Sequence, residues 1–228
     1  MIAKVLQRPK TPGEFRAMNE HIYGERNREF YSDSDLIRRL LEQSQLLAKV
    51  ARKDYRHLFA LHLADTFSWY NALANRLSFD TQEIMWQRFP GVCSYCFQAS
   101  NCLCGIDHPE EPIDKAMRLH ALRLDRDGRE PQTLTEHQEL HSRLYNWQHK
   151  PQPPLAMATH IGEEVAEVSE ALRHNATDKV AEEMADVLSW IFALATRVGL
   201  NLADVMWEFY PYACRKCKEE HCACQEVV

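Results

Sequence analysis

Two groups of carboxylate side chains lie close together in the last third of the sequence. Glu163, Glu164 and Glu167 occur in the run IGEEVAEVSEAL, and Glu183 and Asp186 occur in VAEEMADVLSW. Both runs have the apolar spacing of amphipathic helices, and the polar segment HNATD separates them. Carboxylates that converge on one point are the usual ligands of hard cations such as Mg²⁺, which often serve phosphate chemistry.

The spacing predicts how these carboxylates are oriented. A helix advances about 100° per residue, so Glu164 and Glu167 fall at the edge of one apolar stripe, and Glu183 and Asp186 fall at the matching edge of the other. Glu163 faces solvent on the same wheel. Because the connection is short, we expect the two helices to be antiparallel neighbours and the four edge carboxylates to form one metal site. The alternative is an acidic, solvated helix surface.

The spacing E-E-x-x-E followed by E-x-x-D resembles that of the MazG-like, all-α nucleoside triphosphate pyrophosphohydrolases. Glu163, Glu164, Glu167, Glu183 and Asp186 fill all five positions of that motif. The resemblance implies an all-α fold, catalytic Mg²⁺ bound by the last four of these residues, and attack on the α-phosphate of a nucleoside triphosphate substrate. The products would be a nucleoside monophosphate and pyrophosphate.

Further roles follow from that mechanism. Glu167 is the candidate general base, and Glu163 is a supporting catalytic carboxylate outside the metal site. Trp190 lies one helical turn after Asp186 and could stack on a nucleobase, although packing explains an indole there equally well. Lys150 could neutralise a phosphate, whereas most surface lysines are only solvated.

The sequence also contains an internal repeat. Residues 62–96 match residues 183–217 at thirteen of thirty-five positions, with an offset of 121, and the similarity extends upstream between 11–23 and 133–145. We therefore predict two tandem MazG-like four-helix units at 11–104 and 133–224, joined by a linker at 105–132. The units should pack as a pseudo-dimer within one chain, and further oligomerisation stays open.

The two predicted units differ in their acidic residues. Glu42 and Asp65 match Glu164 and Asp186, but Gln45 and His62 stand where the second unit has Glu167 and Glu183. Magnesium prefers anionic oxygen ligands, so the first unit should have kept its helices and lost the metal site.

All eight cysteines belong to the repeat. Each unit ends in C-x-x-C, a short gap, and C-x-C, which predicts a Cys₄ zinc site that stabilises the end of the unit. Disulfides, iron–sulfur ligation, free thiols and a redox-sensing role are the alternatives, as is pairing between the two sets. The cysteines are Cys93, Cys96, Cys102 and Cys104 in the first set, and Cys214, Cys217, Cys222 and Cys224 in the second.

Composition bears on nucleic-acid binding, membrane insertion and cellular location. The net charge of −6 argues against a broad nucleic-acid-binding surface, and the longest apolar run is too short to cross a bilayer. Without an apolar N-terminal core we expect no secretory signal and a cytoplasmic location. We expect helices near 12–29, 33–52, 56–77, 80–88, 133–148, 157–174, 179–199 and 202–209, and a short helix in the linker at 117–124. Candidate N-caps are Ser32 or Asp33, and Asp178.

Two functions follow from these patterns. The first is a magnesium-dependent nucleoside triphosphate pyrophosphohydrolase, with the removal of unwanted nucleotides as a candidate role. The second is a non-catalytic module that binds a nucleotide or a partner and has structural zinc.

Overall fold

The computed structural model describes residues 7–102, 104 and 114–225. All regular elements in this part of the chain are helical, which confirms the predicted all-α class. The opening of the predicted linker, 105–113, lies outside the described residues. The helices are α1 (Pro12–Phe30), α2 (Asp33–Arg52), a 3₁₀ turn (Arg56–Leu58), α3 (Phe59–Arg76), α4 (Thr81–Arg88), α5 (Lys115–Asp125), α6 (Leu134–His149), α7 (Pro154–Arg173), α8 (Thr177–Arg197) and α9 (Leu202–Phe209).

Local signals set most helix starts. Thr11 and Thr133 each cap a helix through a box with the glutamate three residues later, and Ser32 caps α2 in the same way. The predicted cap at Asp178 is wrong, because α8 already begins at Thr177 and Asp178 lies in its first turn. Helix α7 begins at Pro154, three residues earlier than expected, since proline is well accepted in the first turn of a helix.

The helices pack in two similar sets. Helix α3 packs against α1 and α2, and α8 packs against α6 and α7. Helices α2 and α7 lie side by side between the sets, and at their crossing a side chain on Gly162 would meet Gln45 and Ser44. The buried apolar side chains form one continuous core across both sets.

The fourth helix of each set packs on the opposite set. Helix α4 lies against α8, and α9 lies against α3. The cysteine segments that follow are exchanged in the same way: the backbone N–H of Cys102 donates to the Leu144 carbonyl on α6, and that of Cys222 donates to the Ile22 carbonyl on α1. Each half is therefore completed by chain from the other half.

Among the described residues, no single helix has both the length and the apolar content of a membrane span. Helices α8 and α9, which are bent by 92° relative to each other, meet these criteria only when taken together.

Candidate active site

Three of the four predicted metal-ligating carboxylates converge between α7 and α8. Oxygens of Glu164, Glu167 and Glu183 all lie within 4.8 Å of one another. The i, i+3 spacing brings Glu164 and Glu167 to one side of α7, and the antiparallel neighbour α8 supplies Glu183. Glu183 is 1% exposed, Glu164 is half-buried and Glu167 is exposed, so the cluster runs from the core to the surface.

The electrostatics of this cluster favour a cation. Burial of Glu164, followed by the charges of Asp186, Glu167 and Glu183, raises the pKa of its carboxyl to about 8. Burial also raises the pKa of Glu183, although Lys179 lies 2.5 Å from one of its oxygens and offsets part of the cost. Each carboxylate makes its neighbours harder to ionise, and a divalent cation among them would remove that repulsion.

The donor set fits Mg²⁺. An octahedral magnesium ion at about 2.1 Å from its ligands holds their oxygens within about 4.2 Å of one another. Carboxylates already within 4.8 Å need only small side-chain rotations to reach that geometry.

Asp186 lies next to the cluster but has a different partner. The Arg88 guanidinium, at the end of α4, donates from Nε to one oxygen of Asp186 at 3.1 Å and from Nη2 to the other at 2.7 Å. Arg88 is 4% exposed, and its second anionic neighbour is Glu182, at 3.5 Å. The first half of the chain thus supplies a buried cation to the acidic site of the second half.

Trp190 holds Glu164 in place. Its indole Nε1 donates to a Glu164 oxygen at 3.1 Å, and the His160 ring stacks on the indole with centroids 4.4 Å apart. His160 also lies 2.7 Å from Glu163, on the outer side of α7. Glu163 therefore contacts a ring that packs on Trp190, which favours the packing role for this tryptophan.

Lys150 is exposed at the end of α6. The ring centroid of the preceding residue, His149, lies 5.0 Å from that of Trp190. Lys150 therefore follows directly after a residue that lines the site. A cavity of about 60 Å³ lies beside Asp186 and Trp190, and Phe89 and Tyr95 from the first half close it.

Each cysteine set forms its own cluster. The four sulfurs of each set lie within 4.8 Å of one another, and none of the eight cysteines forms a disulfide. Tetrahedral zinc with Zn–S bonds of about 2.3 Å holds its sulfurs about 3.8 Å apart. Separations of 3.2 Å for Cys93–Cys102, 3.4 Å for Cys96–Cys102 and 3.9 Å for Cys214–Cys224 fit that geometry closely enough for small adjustments to suffice.

The bounds of α2 and α7 agree at an offset of 121, which corrects the predicted matches on this helix: Glu42 matches Glu163, and Gln43 and Leu46 stand where α7 has Glu164 and Glu167. Among the described residues, these positions of the first half have no comparable acidic cluster. Glu42 pairs with Arg38 and Arg39 at 3.0 Å, and Asp65 accepts hydrogen bonds from Tyr210 and, at 2.9 Å, from Arg215. Both carboxylates that this half retains are therefore held by basic or hydroxyl groups.

Sequence reasoning missed Arg88 and Lys179. The repeat did offer an indication for Arg88, because the residue at the matching position is the apolar Phe209. An arginine that takes the place of an apolar residue at a buried helix end needs an anionic partner. Lys179 had only its i, i+4 spacing to Glu183.

The fold and the site thus define an α-helical protein with an acidic cation site between two antiparallel helices. Residues 152–221 match the family model described as MazG nucleotide pyrophosphohydrolase domain. This segment contains α7, α8, α9 and two of the four cysteines of the second set, so the similarity to this family covers the part of the chain that contains the acidic cluster. Comparisons with curated proteins and with solved structures found no match.

Proposed function

We propose that this protein is a magnesium-dependent nucleoside triphosphate pyrophosphohydrolase. The observation that carries the proposal is the convergence of Glu164, Glu167 and Glu183 within the segment that matches the MazG family model. A nucleoside triphosphate would repel this acidic surface unless cations lay between the two. Removal of non-standard nucleotides is the corresponding cellular role that we propose.

Each residue of the site has a proposed role. When bound, Mg²⁺ would neutralise phosphate charge and lower the pKa of the attacking water. Glu164 and Glu183 would hold the ion, with Trp190 fixing the Glu164 carboxylate. Glu167, the most exposed of the three, would also accept the proton of the water.

Three other residues complete the proposal. Asp186 would be the fourth ligand, and Arg88 would then have to release at least one of its oxygens. Lys150 would contact a phosphate at the edge of the site. Glu163 would support catalysis by holding His160 against the Trp190 ring.

We also propose that each cysteine set binds one structural zinc ion and that the protein works in the cytoplasm. The sulfur separations support zinc, and the absence of disulfides among the eight described cysteines agrees with a reducing compartment. Because each set docks on the opposite half, the two ions would fasten α4 to the second half and α9 to the first.

We propose that the two halves, 11–104 and 133–224, are copies of one unit. Helices α2 and α7 have equal lengths at an offset of 121, as do α4 and α9. Left-handed backbone conformations recur at the same offset, at Asp54 and Asn175 and again at Phe97 and Lys218. Neither phenylalanine nor lysine favours a positive φ, so a shared turn geometry explains this pair better than residue preference does.

The test compares the same substitution in the two halves. Glu164→Gln should reduce pyrophosphate release from a panel of nucleoside triphosphates with Mg²⁺ by at least about 100-fold, because it removes a ligand charge. Glu42→Gln makes the same change on α2, the helix of the first half that matches α7, and should keep activity within about threefold because its partners are arginines on the surface. Equal losses, or turnover that survives excess chelator, would contradict the proposal and favour a non-catalytic binding module.

A further inference from the structure

The larger of the two cavities beside the matched tryptophans Trp69 and Trp190 lies away from the acidic cluster. It has a volume of about 530 Å³ and is formed by α1, α2 and α3 of the first half, closed by Tyr210 and the second cysteine segment. Its walls include Asp65, Ser68 and Trp69, which match Asp186, Ser189 and Trp190 beside the cavity of about 60 Å³ in the second half. The half that lacks the carboxylate cluster therefore has the larger cavity, with a volume typical of small-molecule sites.

The charge of this cavity is opposite to that of the acidic cluster. Four cationic side chains line it, Arg26, Arg39, Arg215 and Lys216, against the single carboxylate of Asp65. Arg39 also pairs with Glu42, and a zinc ion with four thiolates in the adjoining cysteine set would contribute a net charge of about −2, so the positive charge is local to the guanidinium and ammonium groups of the lining. Arginine and lysine on a concave surface are typical of sites for phosphate groups.

Apart from the cysteine set, the lining of this cavity has no group of carboxylates that could hold a divalent cation. Gln43 lines it at the position that matches Glu164, His62 stands where the second half has Glu183, and Asp65 is held by Tyr210 and Arg215. The phosphate charge of a ligand bound here would be neutralised by guanidinium groups rather than by a metal ion.

The inner wall has features that suit a nucleobase. Trp69 and Tyr31, whose ring centroids lie 5.3 Å apart, provide aromatic surface. Asn19 and Asn27 line the same cavity and are 3% and 7% exposed, and within the described residues their side-chain oxygens have no hydrogen-bond partner. A buried amide oxygen without a donor is costly, and the amino or imino groups of a base would supply one.

The geometry points to a second, metal-independent nucleotide site in the first half. We propose that its arginines bind the phosphates and that the tryptophan and the two asparagines contact the base. The location and the charge of the cavity do not depend on the proposed hydrolytic activity. The second site can therefore be tested separately from that activity.

The experiment measures binding to the full chain by titration calorimetry in EDTA, at a concentration that removes Mg²⁺ and that elemental analysis shows to leave the zinc in place. The probes are the nucleoside mono- and triphosphates of the common bases, with inorganic pyrophosphate as a probe without a base. At least one nucleotide should bind, and at least tenfold more tightly than pyrophosphate. Arg26→Gln introduces the residue found at the matched position 148, and it should weaken binding of that nucleotide by at least about tenfold.

Two further variants assign the site. Asn27→Asp changes little in volume but adds a negative charge, so it should also weaken binding at least tenfold. Arg28→Gln, the same change as Arg26→Gln on an exposed side chain of the same helix, should alter binding less than twofold. Pyrophosphate release with Mg²⁺ in the Arg26→Gln variant, checked by circular dichroism for an intact fold, should stay within about threefold of wild type.

Several outcomes would overturn the inference. The first two are that no nucleotide at millimolar concentration binds in EDTA, or that pyrophosphate binds as tightly as any nucleotide. The others are that the Arg26 and Arg28 variants lose equal affinity, or that Glu183→Gln abolishes the binding seen in EDTA. If the wild type releases no pyrophosphate yet binds a nucleotide in EDTA in an Arg26-dependent way, the second site stands and the proposed hydrolytic function fails.

Discussion

The buried pair between Arg88 and Asp186 should couple the stabilities of the two halves. Arg88→Met removes the cation and leaves Asp186 beside Glu164 and Glu183 without compensation. Loss of one partner of a buried ion pair costs about 3–5 kcal/mol. Because the Asp186 side chain is 17% exposed and therefore reached by water, we expect the lower end, about 3 kcal/mol.

The reciprocal change should cost less. Asp186→Asn leaves Arg88 with Glu182 at 3.5 Å, and it removes one of the charges that raise the pKa of Glu164. We expect about 2 kcal/mol for this variant, the range of a hydrogen bond to a charged group. The double variant should lose about 3 kcal/mol rather than the sum of 5, so that the coupling is about 2 kcal/mol.

Urea unfolding of the four proteins in EDTA gives these free energies. An exposed pair serves as the control: Arg56 and Asp54 lie 2.8 Å apart but are 84% and 72% exposed, and their cycle should show no measurable coupling. If the Arg88 and Asp186 effects add to within about 0.5 kcal/mol, the reasoning about this contact is wrong.

Three further outcomes are expected. Trp190→Phe should lower magnesium-dependent turnover about tenfold through loss of the hydrogen bond to Glu164, whereas Trp69→Phe should leave turnover nearly unchanged. Elemental analysis should find close to two zinc ions per chain, and Cys217→Ser should lower this by one and reduce the melting temperature. Burial lowers the pKa of His137 to about 3 and of His141 to about 4, so the free energy of unfolding should fall by up to about 1.4 kcal/mol per pH unit for each as the pH drops from about 6.5 toward 4.

The sign of the acid effect follows from proton uptake. Both histidines ionise near pH 6.5 in the unfolded chain and stay neutral in the folded one, so the unfolded state gains protons first and is favoured as the pH falls. Urea unfolding at pH 7 and pH 5 measures the effect, and His141→Leu should remove the part of the pH dependence that comes from this imidazole. If the pH dependence is unchanged in that variant, the account of the histidines is wrong. If elemental analysis finds almost no zinc and all eight cysteines are paired in disulfides, the zinc prediction is wrong.

Local patterns in the sequence were sufficient to predict the helices and the faces they present. The cap predicted at Ser32 acts within one turn, as do Thr11 and Thr133, which were not predicted as caps, and the i, i+3 carboxylates are placed by helix geometry alone. Both effects depend only on residues a few positions apart, so a single sequence contains all that is needed to predict them.

The exchange of α4 and α9 between the halves could not be predicted in this way. The connections Leu77–Asp80 and Val198–Asn201 are equally short whichever half the next helix packs on, and the apolar residues of an eight-residue helix fit either surface. The Arg88 contact and the composition of both cavities depend on that exchange. They are set by residues almost 100 or more positions apart, for which a single sequence gives no spacing rule.

The exchange also gives a physical route by which the two sites could become different. Arg88 and Phe89 precede one cysteine segment and reach the acidic cluster, whereas Tyr210 and Arg215 flank the other and reach the larger cavity. A substitution in α4 or α9 on the side that faces the opposite half therefore alters the site of that half. Arg88 pairs with Asp186 and Glu182 in the second half, and Arg215 pairs with Asp65 in the first. Under the proposed duplication, each half could thus change its partner's charge while its own helical packing was kept.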